Sequence, residues 1–471
     1  MKRLLETRVV EVARTGDLAV YAADGRCFIP SRLLPCCGEL PVAAGGARHA
    51  VRPPSRSRTM NRAAIDAVSA LPIALVCIAA VGATEAPTFR KVVLTDKFHA
   101  EAAGQGDIDR DGHGDAVYGP YWYAGPDFQK RRPIYPAKDF DPHGYSNNFM
   151  TCVADVDGDG WPDVLVNEWP GKQVDWFRNP GAEGHAAETP WQRHLAHPVV
   201  DNESPDFRDI TGDGKPELLF HTGGVLGFAA PSEPTATARW TFYPCSAKSK
   251  WERYQHGLGL GDVSGDGRLD FLMAEGWWEQ PAPGGDAAAP WKKHQQAFGS
   301  GGAQMHAYDV DADGDNDVIT SLAGHGYGLS WFEQVRREGV TTFVEHPILP
   351  ANPQDSMAGV QFSQPHAVEL ADIDGDGLRD IVTGKRFWAH GPTGDVDPLG
   401  APVLYWFQLQ RHADEKENPA AGVAWVPHRI DDASGVGTQI AVADMTGDGR
   451  PDIVVGNKRG GCVFLQESRP R

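Results

Sequence analysis

Cysteine, basic charge and long apolar runs are all scarce in this 471-residue sequence, and each shortage removes a class of protein. Only Cys152, Cys245 and Cys462 lie beyond residue 83. An odd number at such wide spacing excludes a disulfide framework and leaves buried single thiols, with one pair at most. Lysine and arginine total 44 against 63 aspartates and glutamates, a net charge of -19 that would repel the phosphates of a nucleic acid. No apolar run reaches the roughly 20 residues that a spanning helix needs. Nucleophile elbow, P-loop, dinucleotide fingerprint and His-Glu-x-x-His motifs are absent as well, which argues against hydrolase, kinase, dehydrogenase and zincin chemistry.

The longest apolar run, about fifteen residues, lies in "MNRAAIDAVSALPIALVCIAAVGA", behind Arg62 and ahead of the small-residue site Val81-x-Ala83. Residues 60–83 therefore read as a secretory signal. Val76 is too large for a lipobox at Cys77. Residues 1–59 show neither helical nor strand period and read as an overlong start or disordered chain. The expected location is secreted or periplasmic, in the cell envelope, with membrane contact only through the signal if it stays uncleaved. Losing residues 1–83 removes 11 basic and 6 acidic side chains, leaving 33 against 57 and a net of -24. Metal cations suit that surface better than phosphate does.

What the sequence has in abundance is glycine (54), proline (36) and tryptophan (14), with few long helical stretches, so the fold class is all-β. A nine-residue motif recurs seven times, from "DIDRDGHGD" at Asp107 through "DIDGDGLRD" at Asp372 to "DMTGDGRPD" at Asp444. Its separations of 48, 54, 53, 47, 63 and 72 residues are those of propeller blades or similar stacked units. A short alternating run precedes each loop and a β-rich run follows it. A third run ("VDWFRNP", "LSWFEQV", "LYWFQLQ") comes next, and a fourth carries aromatic-x-x-His at His194, His294, His346 and His428. Four strands per unit predict a seven-bladed β-propeller over residues 86–468. The last unit ends after its third strand, so the N-terminal "TFRKVVLTDKF" is expected to complete it and close the ring.

These residues resemble the FG-GAP/VCBS repeat propellers, which include integrin α-chain heads. The resemblance implies the fold and is compatible with adhesion, binding or catalysis. A fainter likeness, carried by "VDWFRNPGAEG", "PWQRHL" and "QPHAVELADIDGDG", is to the propeller part of aldos-2-ulose dehydratases, which dehydrate keto-sugars; no cupin-like domain follows here.

Oxygen donors at alternate positions, with glycine at the sixth, let such a loop wrap a hard cation, and calcium fits better than magnesium. The expected ligands are Asp107, Asp109, Asp111 and Asp115; Asp155, Asp157, Asp159 and Asp163; Asp209, Asp213 and Glu217; Asp262, Asp266 and Asp270; Asp309, Asp311, Asp313 and Asp317; Asp372, Asp374, Asp376 and Asp380; and Asp444, Asp448 and Asp452. Up to seven structural Ca2+ sites are expected, weaker where Thr211, Ser264 and Thr446 replace the third carboxylate.

The lead-in to each first strand and the loop after each second strand belong to the opposite end. Candidates there for stacking on or binding a sugar are Trp169, Trp277, Trp278, Tyr327, Trp388, His306, His325 and His390. For catalysis, His256 and His366 are candidate bases, Glu203 or Glu275 their partners, and Lys385 or Lys458 electrostatic stabilisers. A cluster of His256, His306 and His366 is a further candidate for a transition metal. Three functions stay open at this point: a monomeric binder of carbohydrate or extracellular polymer, a sugar lyase, dehydratase or isomerase, and a protein-binding scaffold.

Overall fold

The computed structural model describes residues 86–467, except 234, 285–288, 356–358 and 413–417, together with a two-stranded pairing of Val20–Tyr21 with Cys27–Phe28. The chain divides into two units, Met1–Ala79 and Ala80–Arg471. The expectations for residues 1–59 and 60–83 otherwise fall outside the described residues. Among those described, no helix is long and apolar enough to cross a membrane.

The second unit is an all-β, propeller-like arrangement. The only α-helix among its described residues is Gly181–Ala186. Five sheets have four strands each and one has eight. The first sheet holds Ala103–Gly106, Asp115–Tyr118, Tyr121–Tyr123 and Arg131–Pro133, and the second Met150–Ala154, Asp163–Asn167, Lys172–Arg178 and Gln192–Val200. The third runs from Asp206–Arg208 to Thr241–Pro244, and the fifth from Pro365–Ala371 to Val423–Asp431. In the sixth, Ile440–Ala443, Asp452–Asn457 and Gly460–Gln466 are joined by Phe89–Thr95, which pairs antiparallel with Gly460–Gln466.

The fourth sheet contains two antiparallel runs of four, joined by parallel pairing of Leu258–Gly261 with Gln304–Tyr308. The cause is local. A β-carbon at Gly259 would stand 1.8 Å from the Met305 carbonyl oxygen, and one at Gly261 would stand 2.2 Å from the Ala307 β-carbon. Only side-chain-free backbone lets these strands approach to hydrogen-bonding distance.

Apolar clusters fill the spaces between successive sheets. Trp122 and Phe177 bridge the first and second, Trp176 and Phe220 the second and third, and Tyr118 and Val463 the first and sixth. The second strands are thus covered on both faces, so runs such as "DVLVN" are buried throughout rather than alternating. The repeated histidines pack on tryptophans of the neighbouring third strands: His194 stacks on Trp176, His294 on Trp277, His346 on Trp331 and His428 on Trp406, with centroids 3.8 to 4.6 Å apart. Cys152, Cys245 and Cys462 are free, with burial pushing the thiols up to about 12 at Cys152 and Cys245 and about 11 at Cys462.

Replacing Gly259 with valine should overpack the shared seam and lower unfolding free energy by about 3 kcal/mol, read from urea denaturation. An unchanged midpoint would mean that the close parallel approach is dispensable.

Candidate functional site

The seven acidic loops each connect the first two strands of a four-strand run. Their ninth residue is buried and acts as a clamp. Asp163, for example, accepts Val156 N–H at 3.0 Å through one oxygen and Asn179 N–H at 2.7 Å through the other. Asp115, Asp270, Asp317, Asp380 and Asp452 repeat this pattern, tying the loop to the third strand. Glu217 reaches only its own loop, at Ile210 and Thr211. Burial pushes these carboxyls up, to about 7 at Asp115, Asp163 and Asp380, about 8 at Asp317 and about 6 at Asp270 and Asp452, and neighbouring loop aspartates add repulsion. Oxygens from Asp107, Asp109 and Asp115, and from Asp155, Asp157 and Asp163, lie within 4.8 Å of one another, close enough to share one cation. Two of the loops lacking a third carboxylate add a competitor: Arg268 pairs with Asp266, and Arg450 with Asp448.

At the opposite ends of the strands, residues from five sheets meet in a buried charged cluster. His256 Nε2 and His366 Nε2 lie 3.1 Å apart, and Glu203 Oε2 is 3.4 Å from the first and 3.0 Å from the second. Arg386, 1 % exposed, donates through one Nη1 to Glu203 at 3.0 Å and to His366 Nε2 at 2.9 Å, while its Nη2 stands 3.4 Å from Glu101. Lys458 Nζ is 3.9 Å from Glu101 and donates to the carbonyls of Trp388 and Ala389. Local backbone fixes these positions. Gln364, in the left-handed region at φ 58°, presents its carbonyl to both His366 N–H and Arg386 N–H. Parallel bridges Asn202–Gln255 and Arg386–Val436 anchor the segments beside Glu203 and His256.

Electrostatics follow from burial and pairing. Burial opposes ionisation of Glu203, but the Arg386 charge and hydrogen bonds from His256 and His366 outweigh it and hold this carboxyl well below the usual range. For Glu101 burial prevails over Arg386 and Lys458, and its pKa is raised. Burial and the Arg386 charge push His366 down to about 4, leaving the ring neutral at physiological pH. Burial also lowers Lys385 and Lys458.

Above this floor stand aromatic side chains. Tyr145 lies 5.7 Å from Trp169 and 6.3 Å from His390, and the Lys458 ammonium sits 4.6 Å from its ring centroid. Trp169 also meets Tyr254, and Trp388 meets His143 and Phe387. His325 joins rim to floor, 4.3 Å from the His390 ring and 4.8 Å from the His256 ring. Asp395 accepts His390 Nδ1 at 2.6 Å and lies 3.5 Å from His325 Nδ1. Tyr327 is partly buried on the loop that carries His325. Beneath the floor, a cavity of about 220 Å³ is lined by Glu203, Arg208, Gln304, His306, Glu369 and Gln439. A larger hollow of about 690 Å³, with Tyr121, Tyr135, Phe177 and Trp191 in its walls, lies between the first and second sheets and shares no residue with the cluster.

Several expected members lie elsewhere. Trp277 and Trp278 are 4 % and 3 % exposed and belong to the cores on either side of their strand, so neither can stack on a ligand. Glu275 is 41 % exposed and pairs with Lys293. His306 donates to or accepts from nothing at the mouth: its Nε2 contacts the Val368 carbonyl at 2.9 Å inside the cavity, and His325 takes its place beside His256 and His366. Lys385 is fully buried and bonded to Ser363, with Asp397 at 3.9 Å. Arg386 was expected at this face, on the loop after a second strand, but without a role, and Asp395 was not expected at all. The "GKR" run at the end of a second strand signals Arg386, whereas nothing in "GPTGDVD" marks Asp395.

The FG-GAP-like repeat family matches residues 121–220, and the FG-GAP repeat family matches residues 436–467. These two segments thus match FG-GAP repeats, and both lie on a propeller-like all-β frame. No curated protein matches the chain in sequence. Among solved structures, a lectin of Agrocybe aegerita that recognises non-reducing terminal N-acetylglucosamine is similar at 15 % identity and TM-score 0.41, over 81 % of this chain and 86 % of that one. Rhamnogalacturonan lyase YesW is similar at 14 % and 0.40, over 82 % and 75 %. BBS1N, in complex with ARL6DN, is similar at 9 % and 0.46, over 82 % and 99 %. With identities of 15 % or less and TM-scores below 0.5, none of these likenesses carries an argument about this chain.

Replacing Arg386 with methionine leaves two buried carboxylates without their shared cation and should cost about 3 to 5 kcal/mol in chemical denaturation. A loss below about 1 kcal/mol would show that the cluster does not depend on this guanidinium.

Proposed function

We propose that the protein is an exported, calcium-stabilised, monomeric propeller that recognises carbohydrate, or an extracellular polymer containing it, at the His/Trp-rich end. The observation that carries this reading is the aromatic rim of Tyr145, Trp169 and Trp388 over a buried floor of Glu203, His256, His366, Arg386, Glu101 and Lys458. Indole and phenol faces suit the apolar side of a pyranose, and a mixed-charge floor suits paired hydroxyls. Counting the eight-stranded sheet as two blades fused through their innermost strands gives seven blades. Pairing of Phe89–Thr95 with Gly460–Gln466 then supplies the closure.

Calcium fits the acidic loops because their ninth carboxyls are costly to ionise without a counter-cation. Sites with dissociation constants of about 10⁻⁴ to 10⁻³ M would each add about 0.4 to 1.4 kcal/mol at about 1 mM calcium. Chelation should therefore lower the melting temperature by about 5 °C or more. An unchanged melting curve would remove calcium from this account.

A second reading, a sugar lyase, dehydratase or isomerase, is favoured by the neutral, carboxylate-paired His366. His256 or His366 would take the proton α to a carbonyl, Glu203 would orient the ring, and Arg386 with Lys458 would stabilise the enolate.

On a glycan array the protein should give hits that disappear in the Trp169→Ala, Trp388→Ala double variant while its melting temperature holds. Absence of hits from the unaltered protein counts against recognition. The enzymatic reading requires an unsaturated product from a uronate polymer or keto-sugar, lost on His256→Ala.

A further inference from the structure

We infer that Glu203, His256, His325 and His366 form a binding site for one divalent first-row transition ion, distinct from the acidic loops and independent of the carbohydrate reading. One ligand atom from each residue lies within 4.8 Å of all the others. Three of the separations are known individually: 3.1 Å between the two Nε2 atoms, and 3.4 and 3.0 Å from these to Glu203 Oε2. Bonds of about 2.0 to 2.1 Å to a tetrahedral ion place ligand atoms about 3.3 Å apart, so these donors already stand at near-coordinating separations.

The donor set is selective. Three imidazoles and one carboxylate suit zinc, cobalt, nickel or copper, whereas calcium takes six or more oxygens. Protonation chemistry points the same way. Arg386 donates to His366 Nε2, which must therefore present a lone pair there, and His366 Nδ1 is buried with no partner. His256 Nε2 meets that same lone pair at 3.1 Å, so only one proton could lie between the rings. A cation seated there takes the His366 Nε2 lone pair in place of Arg386, whose Nη1 then bonds Glu203 alone, and takes the His256 Nε2 lone pair once that nitrogen is deprotonated. His325 Nδ1 is buried without a hydrogen bond, and Asp395, 3.5 Å away, is the carboxylate within reach to orient this ring once it ligates. With the ion seated, Glu203 divides its carboxylate between the ion and Arg386.

An ion there makes His256 and His366 ligands rather than proton acceptors. Metal binding and proton abstraction by these two histidines are thus alternatives, and the measurement separates them.

The test uses the full exported chain, stripped of transition metal and dialysed against cobalt(II) or zinc(II) with calcium in excess. The expected result is one ion per chain that calcium does not displace, with visible d–d absorption from cobalt. His325→Ala, whose side chain is 26 % exposed, should bind at least tenfold more weakly at unchanged melting temperature, and the His256→Ala, His325→Ala double variant more weakly still. Asp395→Asn should weaken binding by about tenfold. Uptake of no ion, or equal uptake by the histidine variants and the unaltered chain, overturns the site. Glycan hits that persist with metal-free protein leave carbohydrate recognition standing whatever the metal result.

Discussion

The structure depends on one recurring contact: a buried carboxylate at the ninth position of each acidic loop, gripping backbone N–H groups. In six loops its two oxygens reach in different directions, one back to the loop's second residue and the other across to the third strand. These contacts are shielded from water, and each strengthens when its carboxyl ionises, since hydrogen bonds to a charged acceptor are about twice as strong as neutral ones. Loop, second strand and third strand are thereby fixed as a unit. The opposite strand ends are placed as a result, and the buried charged cluster is assembled from just those ends.

The division of labour follows from this geometry. Charge at one end is concentrated in loops that repel themselves, while charge at the other is balanced, two carboxylates against Arg386 and Lys458. The first arrangement is met from within only in part, by Arg178, Arg268 and Arg450 at three of the loops. The second is largely neutralised from within, which lets it be buried beneath aromatic rings.

Much of this was legible in the sequence because repeats report themselves. The nine-residue spacing located every acidic loop, and the lead-in rule found Glu203, His256 and His366. The failures share a physical origin. Trp277 and Trp278 were assigned to the rim, but a strand sandwiched between neighbouring sheets buries both faces, so adjacent tryptophans enter two different cores. His306 stands three residues from its loop and His256 six, and at about 3.3 Å per residue this sets His306 about 10 Å deeper. Lys385 and Arg386 are neighbours whose side chains diverge, and only the second reaches the cluster. Asp395 comes from a long irregular loop, where no period guides the eye. The fused eight-stranded sheet was invisible because it depends on what Gly259 meets, not on Gly259 itself.

That fusion gives the frame unequal compliance. Where Leu258–Gly261 is stitched to Gln304–Tyr308 by main-chain hydrogen bonds, two units must tilt as a single plate. Elsewhere sheets meet mainly through side chains, which slide more readily than a backbone ladder shears. Any widening of the 220 Å³ cavity to admit a guest would therefore be borne by those softer seams, with the plate, which carries His306, serving as a fixed wall.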